Sequence, residues 1–73
     1  KNMDLKDFQQ LKLQAGDNIS IMTNDGKYFQ GFYRDEFDTL KNSFSFFNQA
    51  NSEFQIVQVF NINTIDVNLR ANS

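Results

Sequence analysis

Ile19–Tyr33 reads ISIMTNDGKYFQGFY, two apolar-rich runs on either side of Asn24-Asp25-Gly26. A turn centred on Asp-Gly accepts positive φ at little cost, and β-branched or aromatic residues on both sides favour pleated backbone, so the stretch predicts a β-hairpin. The rest of the chain builds outward from it. Towards the N-terminus, apolar residues fall at Met3, Leu5, Phe8, Leu11 and Leu13. The spacing of three across Leu5, Phe8 and Leu11 predicts a short amphipathic helix over about residues 4–13, with the Asp4 carboxylate at its start and Ala15-Gly16-Asp17 at its end.

From Asn18 the period changes to two. Strands are expected over about residues 18–23, 27–34, 39–48, 54–60 and 64–69. Gly31, inside a strand pattern, signals a sharp bend, a bulge or a close backbone approach. Arg34–Asp38 (RDEFD) reads as a charged interruption, and Thr39–Asn48 resumes the extended pattern with Leu40, Phe44, Phe46 and Phe47, Leu40 being assigned to the core. Gln49–Glu53 is a polar loop, Phe54–Phe60 an uncharged strand, and Asn61 a corner before Ile65, Val67 and Leu69, which share one face. Arg70–Ser73 reads as a disordered tail. One helix followed by five short strands predicts a single, mainly β domain: a small, strongly bent five-stranded barrel.

Length and composition restrict function. Seventy-three residues bury a thin core, and small domains commonly recruit disulfides, metals or partner subunits. Cysteine and histidine are both absent, which excludes disulfides and the common zinc ligand sets. Oligomerisation or an aromatic core remains, and nine Phe with two Tyr can build the latter. The missing cysteines fit a cytoplasmic chain. No run of about 18 apolar residues and no charged-then-apolar leader occurs, so neither a membrane span nor a signal peptide is expected. The net charge of -2 argues against a broad basic surface for polyanions but leaves room for a small local nucleic-acid pocket.

The glycine spacing and strand pattern resemble the Sm and Sm-like family, including its Hfq branch. The residues that carry the resemblance are Gly26 and Gly31 in DGKYFQG, then Asp38-Thr39-Leu40-Lys41-Asn42 preceded by Phe37, then the Ile62/Ile65 step. Gln58-Val59 stands where the family has Arg-Gly, and nothing matches the Tyr-Lys-His of Hfq. The resemblance covers Leu5 to Leu69. It implies an SH3-like, Sm-like barrel that binds RNA without catalysis, with Phe37, Asp38, Leu40, Asn42 and Gln58 at the RNA site. In that site Leu40 stacks on a base, Asn42 reads its edge, and Asp38 organises the turn. Lys41, Lys27 and Arg34 are candidate phosphate contacts.

The resemblance also implies assembly. Phe54–Phe60 (FQIVQVF) is uncharged, free of proline and rich in β-formers, so a free edge there would invite aggregation and should be paired. Sm-like rings pair this strand with the last strand of the next subunit, which gives a hexamer or heptamer with Phe54, Ile56, Gln58, Phe60, Ile65 and Val67 at the contact. An internal strand of a monomeric SH3-like barrel is the alternative. Adjacent aromatics such as Phe46/Phe47 and Phe32/Tyr33 cannot all point inward, so some aromatic surface is left for a partner.

Expected partners are therefore further copies of the chain, single-stranded RNA, or a protein bound through exposed aromatics and an open edge. No cofactor is expected. Asp35, Glu36 and Asp38 read as a solvated charged bend before a metal or acid–base cluster, and no catalytic residue is assigned.

Overall fold

The computed structural model describes residues 2–72, and the hairpin read from Ile19–Tyr33 lies at its centre. β1 (Asn18–Thr23) and β2 (Tyr28–Asp38) pair antiparallel from Asn18↔Phe32 to Met22↔Tyr28. Gly26, at φ 86, donates its amide to the Thr23 carbonyl at 3.0 Å, and the Thr23 amide donates to the Lys27 carbonyl at 2.9 Å. A left-handed residue at that point of a short hairpin loop is what glycine supplies without a Cβ penalty.

β3 (Ser43–Asn48), β4 (Glu53–Gln58) and β5 (Ile62–Leu69) complete one antiparallel sheet in the order β4-β3-β2-β1-β5, preceded by the helix α1 (Leu5–Gln10). A 3-10 turn, Val59–Asn61, joins β4 to β5. The mainly β fold with a short N-terminal helix and five strands is as the period predicts. The sheet has two edges, β4 and β5, which do not pair with each other among the described residues.

The bend comes from β2. Gly31 pairs with Ile19 on one side and with Asn48 on the other, so the strand serves both halves of the sheet. A Cβ placed on Gly31 would sit 1.8 Å from the Phe47 carbonyl oxygen and 3.0 Å from the Phe46 ring. Of the readings of this glycine, close backbone approach is realised here and the bulge is not. The bulge lies further on, between Tyr33 and Phe37, where Asp35 adopts φ 63. The curl encloses Ile19, Ile21, Tyr33, Phe44, Phe46, Val57, Val59 and Ile62, and α1 caps this core with Phe8, whose ring stacks on Phe44 at 5.2 Å and on Phe37 at 5.6 Å.

Several boundaries differ from the periodicity, each for a local reason. The helix over residues 4–13 is limited to Leu5–Gln10, because Asp4 is its N-cap, accepting from the Lys6 amide, and Lys12 at φ 52 leaves the helical region. The charged Arg34–Asp38 stretch does not interrupt β2, since the Asp35 bulge absorbs it. The strand expected over residues 39–48 starts only at Ser43, because Thr39–Asn42 forms a turn. β4 ends at Gln58, so Phe60 lies on the 3-10 turn, and β5 starts earlier, at Ile62. Leu40 is no core residue: it sits on the Thr39–Asn42 turn beyond the sheet and is 94% exposed. Leu69 is exposed while Ile65 and Val67 are half-buried, since a register shift between Asn18 and Ile19 carries Leu69 off the inner face.

The tail read as disordered is a strap, as far as it is described; Ser73 lies outside the described residues. Arg70 Nη2 donates to the Leu11 carbonyl at 2.8 Å, and Nη1 donates at 3.1 Å both to the Lys12 carbonyl and to Asp17 Oδ2. Asp17 is buried, and its carboxylate also accepts from the Ala71 amide at 2.8 Å and the Gln14 amide at 2.9 Å. Burial alone would raise the Asp17 pKa, but those two amides and the Arg70 guanidinium outweigh it and hold the carboxyl below its ordinary range. A buried anion is tolerated because every oxygen is bonded.

Two outcomes are expected. Gly31→Ala should cost about 2–3 kcal/mol or more in denaturant unfolding, because the clash is with backbone and no rotamer change relieves it; an unchanged midpoint would contradict the close approach. The stabilisation from Asp17 should be complete above the unfolded carboxyl value of 3.8 and lost as the pH falls through the lower folded value. Thermal melts across this range should therefore fall more steeply for the native chain than for Asp17→Asn, which lacks the titrating group.

Candidate functional site

The Thr39–Asn42 turn carries most of the sequence-assigned RNA residues, and its shape follows from Asp38. Asp38 Oδ1 accepts from the Leu40 amide at 2.9 Å and the Lys41 amide at 3.2 Å, the way Asp side chains commonly order a turn. Asn42 closes the turn at φ 51, a left-handed conformation that Asn accepts more readily than most residues. Its carbonyl accepts from the Val59 amide at 2.9 Å, and the next residue, Ser43, pairs with Gln58. The turn and the end of β4 thus form one corner. Neither the Asn42 nor the Gln58 carboxamide has a hydrogen-bond partner among the described residues, so both retain donors and acceptors for a ligand.

Of the five assigned RNA residues, Asp38, Asn42 and Gln58 meet at this corner. Leu40 projects beside them into solvent. Phe37 does not join: it is half-buried, with its ring against Phe8 under α1. The phosphate candidates are dispersed. Lys41 is on the turn, Arg34 lies over the Phe54 ring at 5.2 Å from its centroid, and Lys27 approaches Asp25 at 3.9 Å at the hairpin tip. There the Thr23 hydroxyl donates to Asp25 and, with the Lys27 amide and charge, keeps that carboxyl below its usual range. Asp35, Glu36 and Asp38 are exposed beside the corner, and among the described residues no three His, Cys, Asp or Glu side chains gather to hold a metal.

The assigned interface residues divide by burial. Phe54 is 61% and Ile56 70% exposed on the edge strand β4, with the Phe54 ring edge-on to Phe47 at 5.0 Å. Phe60 is also exposed, on the 3-10 turn, and Gln58 is half-buried. Ile65 and Val67 pack against the core, so β5 offers its backbone and polar residues more than these two side chains.

Two further concavities were not legible in the sequence. One, of about 370 Å³, lies between the hairpin tip and β4 and includes Lys27, Phe29, Gln55, Gln58 and Asn61. The other, of about 190 Å³, lies between α1 and β2 and is lined by Phe8, Gln9, Lys12, Leu13, Tyr33 and Phe37. Burial, and then the charge of Asp35, push the Tyr33 phenol above its ordinary pKa, so it is a neutral donor there. The signal for it was present, a phenol at an inward strand position, but periodicity treats such a residue as core. No helix among the described residues is long and apolar enough to cross a membrane. No protein-family model, curated protein or solved structure matches the chain.

Proposed function

We propose that this chain is a non-enzymatic, Sm-like assembly module that closes into a ring and holds single-stranded RNA at the corners where Asn42 and Gln58 meet. The observation that carries the reading is the β4 edge. It is a strand with a single charge, Glu53, and with Phe54 and Ile56 turned to solvent, whereas unpaired edges are ordinarily protected by several charges, proline or bulges. Addition of β4 to the free β5 edge of a second copy satisfies both rows of backbone groups and covers the apolar side chains. The edges differ, so the contact is heterologous and must close to be finite.

The RNA reading rests on the corner. Two unspent carboxamides can read a base edge, and Leu40 can pack on a base face, though each contributes little alone. Repetition around a ring multiplies such contacts through effective concentration. The second reading is capture of a protein strand at the same β4 edge without RNA. It is favoured by Asp35, Glu36 and Asp38, exposed beside the corner, which repel a polyanion.

Ile56→Lys should give a folded monomer by light scattering and native mass measurement, because the residue is 70% exposed on the edge strand; an oligomer of unchanged mass would contradict edge addition. Asn42→Gly, which removes the carboxamide and keeps the left-handed conformation of the turn, should weaken binding of a uridine- or adenine-rich oligomer by about fivefold per site without altering assembly. Equal affinity of the two proteins would move the function to the protein-strand reading.

A further inference from the structure

The cleft between α1 and β2 combines three properties that suit a small ligand. Its walls are apolar, formed by Phe8, Leu13 and Phe37. It is lined too by Tyr33, a residue only 4% exposed whose phenol has no hydrogen-bond partner among the described residues. Among the described residues no fully buried side-chain oxygen or nitrogen lacks a partner, so the unbonded Tyr33 phenol oxygen keeps some access to open space, and the residue lines this cleft. The polar rim comprises Gln9 and Lys12, and neither side chain is bonded to a described residue.

Lys12 is held in place. It sits at φ 52, immediately after the helix, with its carbonyl accepting from Arg70 Nη1 at 3.1 Å and its amide donating to the Gln9 carbonyl at 3.2 Å. The strap that buries Asp17 therefore also fixes the backbone from which the Lys12 ammonium projects.

We infer that this cleft is a binding site for a carboxylate carried on a small apolar group. The unbonded side-chain groups are rich in donors: the Tyr33 hydroxyl, the Gln9 amide nitrogen and the Lys12 ammonium. A carboxylate accepts from such groups, with the Lys12 ammonium supplying charge against Asp35, whose carboxylate also acts on the Tyr33 phenol. At about 190 Å³ the cleft takes one ring or one branched chain, less than the usual small-molecule pocket. The same chemistry occurs in a free aryl or alkyl acid and in the C-terminal residue of a peptide. The lining residues belong to α1, β2 and the segment after α1, with none on β4 or β5, so the site does not depend on the ring reading.

The test is an amide-shift titration of the isotope-labelled full chain with phenylacetate, phenylacetamide, and a short peptide ending in Phe, the last as free acid and as amide. Phenylacetate should give saturable shifts confined to Phe8–Leu13 and Tyr33–Phe37. Phenylacetamide should bind about fivefold or more weakly. Lys12→Gln and Tyr33→Phe, which keep the packing and whose spectra verify the fold, should each lose affinity by a similar factor. A free-acid peptide at least about tenfold tighter than phenylacetate assigns the site to chain termini; equal affinities assign it to small acids. The absence of saturable shifts, equal binding of acid and amide, or unchanged affinity in both variants would overturn the assignment.

Discussion

The fold depends on how near two backbones come at Gly31. β2 has to pair with β1 at one end and β3 at the other, and the two pairings overlap at this residue. Without a side chain there, the Phe47 carbonyl and the Phe46 ring move in against the strand, the sheet turns over itself, and Phe46 is removed from solvent altogether. Any larger residue would hold the two halves apart and open the core along the line where Phe44, Phe46 and Val57 meet. The aromatic core of this short, cysteine-free chain is a consequence of that absent side chain.

Much of this architecture is legible in the residues, because the hairpin, the change of period at Asn18 and the strand punctuation are local signals. β1 falls where the alternation puts it, and Gly26 takes the turn that its neighbours dictate. What the pattern does not show is set by tertiary contact. RDEFD looks like a break until one Asp accepts a left-handed bulge, and the last residues look disordered until Arg70 finds the helix end and a buried carboxylate. Leu40 looks like core because hydrophobicity says nothing about a turn that stands clear of the sheet. At the corner, the alignment of Asp38, Asn42 and Gln58 is visible only through the resemblance; the bond from Val59 to Asn42 that unites them joins residues far apart in sequence.

The two faces of the functional reading are physically linked. The corner that would hold a base ends the strand that would pair with a neighbour, so ordering either one restricts the other. The unbonded groups of Asn42 and Gln58 at the corner are neutral carboxamides in a mildly acidic protein, which suits recognition by shape and edge more than by charge. Phe54 and Ile56 leave the β4 edge apolar, with Phe60 just beyond it, and an edge so composed is a surface for pairing whatever the partner.

The strap has an implication for the order in which the chain acquires structure. The carbonyls that end α1 and the carboxylate of Asp17 near the start take their partners from Arg70 and Ala71, and β1 receives its outer neighbour only when β5 arrives. As the polypeptide leaves the ribosome, then, its first elements have no stable place to rest, and the helix, the buried charge and the flank of the first strand are all settled in one late step. Such a domain has little to gain from folding piecemeal during synthesis and behaves as a single cooperative unit that commits only once β5, Arg70 and Ala71 are available.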